Sequence, residues 1–527
     1  MGKVTRTEWK WAWGFAIVLA AILLLPYLLG FSTQGDSWRF SGNLFGVEDG
    51  NSYLAKMRAG TEGAWLYRLA YTTEAQNGAP VFLPYLILGK FAGGAALHEQ
   101  LAALFHLARI AAGIAMVLAA YRFLACFVER LALRRFALIL AALGGGFGWL
   151  LALFGVTGLE FYSPETFGFL ALFGPPHLAA ARALLLMSLT LAVDPSAFGV
   201  PPRHAGMAIG GLLLGAWLFQ PLEVPVAWVV MGAHTVLLFL SGHGWRGGSP
   251  GAAWRDPLRR TLTAALISAP AVGYSVLAFS LDPVLRQWTA QNIIDSPAPW
   301  IYLAGWGVLL IPALLAAWLE RADARLVLPT AWLVLLPLLI YVPVNLQRRL
   351  ADGGWMALVV LCVVFLERRT AGRARSAAVI LLPLLALPSA FLMYAWTMIR
   401  AVQPSQPAFL PAGEVRAMEW LDSGADPASI VVAGFSAGNA LPAYTGLIPY
   451  IGHGPETLYL DRKTALVDAI FDGGTPEEDR LAALQETGAR YVLSGPEEQI
   501  RQDGRIPGCD LIYRADGWEI WMVVTDR

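Results

Sequence analysis

The sequence predicts a polytopic α-helical membrane protein carrying a small external α/β domain at its C-terminal end, and three observations predict it. Of 527 residues, 57% are hydrophobic and only 14% charged, with 20 tryptophans. Apolar stretches long enough to cross a bilayer recur along the first three quarters of the chain. After about residue 400 the composition shifts to Gly, Asp, Glu and Pro with short periodic segments. The formal net charge is zero, so no global basic surface points to nucleic acid. Cys126, Cys362 and Cys509 have neither paired nor metal-ligand spacing.

Charged or turn-rich breaks divide the apolar part into about eleven spans. They fall near 11–31, 100–127, 134–155, 177–193, 206–220, 222–240, 261–280, 300–319, 326–344, 354–366 and 376–398. The first is read as a retained helix because no small-residue cleavage site precedes its polar exit. The stretch 80–97 is apolar but broken by Gly89, Lys90, Gly93 and Gly94, and is expected to be interfacial or re-entrant. Lys3, Arg6, Lys10, Arg130, Arg134, Arg135, Arg246, Arg255, Arg259, Arg260, Arg321, Arg325, Arg368, Arg369, Arg373 and Arg375 fall in alternate loops. The positive-inside rule makes that side cytoplasmic, with the N-terminus inside and the C-terminal domain outside. The expected division is 1–400 for the transmembrane domain, with a first external loop over 32–99, and 401–527 for the external domain.

Within the external domain, Glu414 to Asp422, Thr464 to Phe471 and Glu477 to Glu486 read as helices. Segments at 430–433, 491–493, 511–513 and 519–524 read as strands. Gly434-Phe435-Ser436-Ala437-Gly438 matches the nucleophile elbow of serine hydrolases. The domain's only histidine, His453, lies soon after that serine instead of last, so a glycine-rich strand-to-helix turn is the better reading.

Polar residues collect at the outer face, not inside the spans as a transporter would place them. The acidic pair Glu48-Asp49 follows the first span, in a loop that also holds Tyr53, Lys56, Arg58, Trp65, Tyr67, Arg68, Tyr71, Glu74 and Gln76. Such a pair reads either as a helix cap or as chemistry, and aromatic and charged neighbours suit a sugar or a lipid head group. Arg348-Arg349 break the positive-inside pattern by lying outside, where paired guanidinium groups suit a lipid phosphate or simple anchoring to head groups. His177 and Glu223 stand at outer ends of spans. These motifs identify no cofactor; Asp49, His177 and Glu223 could hold a divalent cation only if the fold brought them together.

The architecture resembles the polytopic GT-C glycosyltransferase superfamily, which includes protein O-mannosyltransferases and lipid A aminoarabinose transferases. The local resemblance rests on Leu66-Tyr67-Arg68-Leu69-Ala70-Tyr71-Thr72-Thr73-Glu74, Phe105-His106-Leu107-Ala108-Arg109 and Gly144-Gly145-Gly146-Phe147-Gly148-Trp149. It extends to Gln347-Arg348-Arg349, Ala443-Tyr444-Thr445-Gly446 and Tyr450-Ile451-Gly452-His453, which look similar to an uncharacterised bacterial branch. The resemblance implies inverting transfer of a sugar from a polyprenyl-phosphate donor to a glycan, lipid or protein hydroxyl, at the outer face of a bacterial plasma membrane. It implies Asp49 as general base with Glu48 beside it, although this chain has Glu-Asp where those families commonly have Asp-Glu. Arg348, Arg349, His177, Glu223, Glu74, Tyr53 and Lys56 are the expected substrate contacts. A non-catalytic carrier of lipid-linked sugars, or an envelope assembly scaffold, is the alternative for the same architecture.

Overall fold

The computed structural model describes residues 4–241 and 254–524; Lys3 and Arg246 lie outside the described residues. The chain divides into two compact units, one of residues 1–24, 107–279 and 293–396, the other of 25–106, 280–292 and 397–527.

All eleven expected apolar segments are helical. Among the described residues, nine helical stretches are long and apolar enough to cross a membrane: Arg6–Thr33, Leu97–Leu124, Leu131–Ala152, Pro176–Val193, Glu223–Leu240, Arg255–Leu281, Pro299–Leu319, Gln347–Arg369 and Gly372–Val402. The other two are shorter. Ala205–Phe219 has 15 residues, about 22 Å of helix against a hydrocarbon core of about 30 Å. Pro201 and Pro202 precede it and Pro221 follows it. The second short helix covers Ala324–Ile340.

In the first unit the helix Gly354–Arg369 is buried along most of its length, whereas Leu266, Ile311 and Leu338 on other helices are largely exposed, as a lipid-facing surface requires. The third span breaks at Gly144-Gly145-Gly146. A Cβ on Gly146 would stand 2.1 Å from the Ala304 carbonyl oxygen, so only glycine lets this backbone cross the helix Pro299–Leu319. That helix answers with Gly307 at φ 51, and Glu160 accepts the freed amides of Gly146 and Gly148 at 2.8 and 2.7 Å. Several arginines of the expected cytoplasmic loops form ion pairs. Arg134 pairs with Glu8, and Arg368 with Glu320 and Asp323 at 2.9 and 2.8 Å.

The second unit is built on a sheet. Strand β1 (Trp38–Phe40) pairs antiparallel with β2 (Phe409–Pro411), Trp38 opposite Pro411. A separate five-stranded sheet contains β3 (Ile430–Val432), β4 (Ile448–Pro449), β5 (Tyr491–Ser494), β6 (Cys509–Ala515) and β7 (Trp518–Val523), in the order β4-β3-β5-β7-β6. β3 runs parallel to β4 and β5, while β7 is antiparallel to β5 and β6. Strand alternation sorts the core. Val431, Leu493 and Ile520 join one buried cluster with Leu54, Met57 and Leu441, and Val432, Val492 and Trp521 join another with Val467, Ile470 and Phe471. The helix Val47–Thr61, from the segment expected to be a loop, thus shares a core with the helix Phe435–Tyr444, which connects β3 to β4.

Close backbone approaches fix that packing. A Cβ on Gly89 would meet the Met57 carbonyl oxygen at 1.8 Å, and one on Gly438 would meet the Ile451 carbonyl oxygen at 2.1 Å. The apolar stretch after Pro80 forms only the short helix Leu83–Gly89.

Glu414, on the helix Ala412–Gly424, is fully buried with one carboxyl oxygen lacking any hydrogen bond. Burial first, and then the charge of Glu498, push its pKa from the ordinary 4.5 up to about 8. A raised folded-state pKa contributes stability below the unfolded value and loses it as pH rises toward 8. Wild-type protein should therefore melt at lower temperature at pH 8 than at pH 6, and Glu414→Gln should flatten that dependence. Parallel melting profiles for the two proteins would contradict the assignment.

Candidate functional site

Glu48 and Asp49 occupy the first turn of the helix Val47–Thr61. Gly46 starts that helix from the left-handed region, at φ 57 and ψ 50, a conformation that favours glycine. The carboxylates do not cap the helix. They sit where the positive end of the helix dipole favours negative charge.

The two carboxylates have different surroundings. Glu48 Oε1 accepts the Gly454 amide at 2.7 Å and stands 4.0 Å from His453 Nδ1. Asp49 Oδ1 lies 3.5 Å from His453 Nε2, and its side chain is 69% exposed against 45% for Glu48. Glu48 is therefore held by the loop after β4, while Asp49 presents its carboxylate to solvent.

His453 is buried. Its Nδ1 accepts the Glu456 backbone N–H at 3.2 Å, so a neutral ring carries its proton on Nε2, the nitrogen facing Asp49. Burial pulls the imidazole pKa down, but the charges of Asp49, Glu456 and Glu48 outweigh it and raise the pKa above its ordinary value.

Beneath the histidine lies a buried polar network. Glu456 Oε1 accepts from Lys56 Nζ at 2.7 Å and from Ser52 Oγ at 2.8 Å, and its Oε2 accepts from the Tyr67 hydroxyl at 2.6 Å. Burial opposes ionisation of Glu456, yet Lys56 and His453 hold its pKa below the ordinary carboxylate range. The Tyr71 hydroxyl donates to the Asn439 carbonyl at 2.9 Å, and the Asn439 side chain joins Asn51 at 2.8 Å and the Glu48 carbonyl at 3.3 Å. Helix 47–61, the 67–71 segment, helix 435–444 and the 452–456 loop all converge here.

Of the other expected contacts in this unit, Lys56 is committed to the Glu456 ion pair. Glu74 bonds Thr72 and pairs with Lys463 at 2.9 Å, and Tyr53 stacks on Tyr85 with ring centroids 4.7 Å apart. Ser436 lies in the first turn of the helix that follows β3, the strand-to-helix turn expected there; among the described residues its hydroxyl has no hydrogen bond to a histidine or any other base.

Arg348, Arg349, His177 and Glu223 belong to the other unit. Arg348 and Arg349 lie in the short turn Gln347–Ala351. Arg348 stands over the Tyr162 ring at 5.1 Å, and Arg349 Nε is 3.4 Å from Glu165. The Nε of each is buried without a hydrogen bond. Nearby, Arg182 binds Asp352 at 2.7 Å and the carbonyls of Pro164 and Glu165 at 2.8 and 2.5 Å. Glu223 is buried at the start of its helix, with neither carboxyl oxygen in a hydrogen bond. His177 is buried in the first turn of Pro176–Val193. No group of three or more His, Cys, Asp or Glu among the described residues is arranged to hold a metal ion.

The sequence reading did not select His453, Glu456, Asn439, Glu165 or Asp352 as site residues. His453 ends the resemblance segment Tyr450-Ile451-Gly452-His453, and it stands three residues from a carboxylate in the glycine-rich run Gly452-His453-Gly454-Pro455-Glu456.

No protein-family model matches the chain, and no curated protein matches it in sequence. Solved structures do. ArnT from Cupriavidus metallidurans in the apo state aligns over 96% of this chain and 97% of its own, with TM-score 0.55 and 12% identity. The arabinofuranosyltransferase AftD from Mycobacteria aligns over 96% of this chain and 40% of its own, with TM-score 0.57 and 14% identity. The oligosaccharyltransferase AglB from Archaeoglobus fulgidus, in complex with an inhibitory peptide and a dolichol-phosphate, aligns over 95% of this chain and 74% of its own, with TM-score 0.52 and 13% identity. At these identities the likeness is one of architecture: the chain shares a GT-C-like fold with these structures.

Proposed function

We propose that the chain is an inverting membrane glycosyltransferase that moves a sugar from a polyprenyl-phosphate donor to an acceptor hydroxyl, with Asp49 as general base. The observation that carries this reading is an exposed carboxylate on the first turn of a helix, backed by a buried histidine whose tautomer is fixed, on a GT-C fold. The oligosaccharyltransferase of this fold that holds a dolichol-phosphate supports a lipid-phosphate donor.

In the proposed reaction Asp49 takes the proton of the acceptor hydroxyl as its oxygen bonds to the anomeric carbon. The bond from that carbon to the phosphate oxygen breaks from the opposite face, and the polyprenyl phosphate leaves with the electron pair. Attack opposite to departure inverts the anomeric centre. Glu48, already held by the Gly454 amide, is the weaker candidate for the base. Arg348 and Arg349 would neutralise the departing phosphate with their guanidinium charge; the buried Nε of each makes no hydrogen bond, although that of Arg349 stands 3.4 Å from Glu165. The arginine-rich loops support an N-terminus in the cytoplasm of a bacterial cell and catalysis at the outer face.

The phosphate assignment has its own test. Arg348→Ala or Arg349→Ala should weaken binding of a polyprenyl-phosphate sugar by about 10-fold or more, a loss of about 1.5–3 kcal/mol for a charge-assisted hydrogen bond. Acceptor KM should change little. An equal loss for both substrates would remove the phosphate clamp.

A further inference from the structure

We infer that His453 is the positioning residue for Asp49: its buried Nε2–H fixes the carboxylate that receives the acceptor proton, and the Glu456 backbone amide fixes the ring. This rests on Asp49 being the base. The geometry is specific. His453 is 3% exposed, its Nδ1 is occupied by the Glu456 N–H at 3.2 Å, and its Nε2 lies 3.5 Å from Asp49 Oδ1. Nε2 is buried without a well-formed hydrogen bond, so the Asp49 carboxylate is the group placed to satisfy it.

The support extends deeper. The Glu456 carboxylate is held by Lys56, Ser52 and Tyr67, which anchors the backbone whose amide orients the imidazole. Tyr71 packs against the ring with centroids 5.1 Å apart. The charged and titratable groups facing His453 are thus Glu48 and Asp49 from helix 47–61, Tyr71 from the following segment, and Glu456 from its own loop with Lys56 behind it. A carboxylate on a solvent-exposed first turn has several rotamers of similar energy. A fixed N–H donor selects one of them, and a misplacement of about 1 Å in a reacting group can cost about 10²-fold.

His453→Ala should lower kcat about 10²-fold while leaving donor KM unchanged. His453→Gln keeps an N–H donor at the same reach but cannot titrate. It should recover most of kcat and lose the imidazole's inflection from the pH–rate profile. Independently of turnover, histidine-selective ¹⁵N NMR should show His453 as the Nε2–H tautomer, assigned by its absence in His453→Gln. In Asp49→Asn that resonance should titrate at lower pH, because a carboxylate that favours the cation is gone. An Asp49→Asn protein in which the His453 titration is unmoved would overturn the contact, and wild-type kcat in His453→Ala would overturn the positioning role. If the titration moves but Asp49→Asn transfers sugar normally, the base assignment falls and the role with it, while the contact stands.

Discussion

Asp49→Asn is expected to reduce sugar transfer by about 10²–10⁴-fold, the range a positioned general base contributes. The change is nearly isosteric and falls on a side chain that is 69% exposed, so folding should survive it. Donor-lipid binding should survive too, because the residue assigned to the phosphate is Arg348 or Arg349. The signature is therefore a loss in kcat with expression, melting temperature and donor affinity retained. Glu48→Gln is the informative partner: it weakens the bond to the Gly454 amide and should lose less activity than Asp49→Asn. A reversed order would move the base to Glu48.

Lys56→Met should cost about 3–5 kcal/mol, the usual penalty for stranding one member of a buried ion pair. Lys56 and Glu456 are 2.7 Å apart with side chains 1% and 5% exposed. Removing the ammonium leaves a carboxylate that only Ser52, Tyr67 and nearby His453 can compensate. The measurement is the thermal or denaturant midpoint of the purified protein. Adding Glu456→Gln to Lys56→Met should recover part of the loss, since the stranded charge is then gone. A Lys56→Met protein that melts with the wild type would mean that the pair is not formed.

The membrane architecture was legible because its signal is local: a run of apolar residues bounded by arginines is read from about twenty consecutive positions. All eleven runs are helical, and two of them, 205–219 and 324–340, are shorter than the other nine. The strands at 430–432, 491–494 and 518–523 were legible for the same reason. The helix Phe435–Tyr444 was foreseen only as a strand-to-helix turn, because Gly434, Gly438 and Pro442 dilute helical patterning and hide its extent; the two-residue strand Ile448–Pro449 was missed.

The acidic pair stood out as a pair, but its surroundings could not be read. Asp49 meets His453, and Ser52 and Lys56 meet Glu456, across about 400 residues of chain, and nothing in spacing predicts such partners. Burial was equally hidden. Lys56 and Glu74 look like free polar residues of an outer loop, and in the structure each is bound to a partner from the C-terminal segment. Asp352 sits in the same turn as the selected Arg349, but its tie to Arg182 spans 170 positions.

The most direct test of the central claim is sugar transfer by the purified protein, offered radiolabelled polyprenyl-phosphate sugars with crude bacterial envelope acceptors, wild type beside Asp49→Asn. The account predicts label moving from one donor to an acceptor in the wild type and a loss of about 10²-fold or more in the variant. Tight donor binding with no transfer from any donor would contradict it and favour a carrier of lipid-linked sugars.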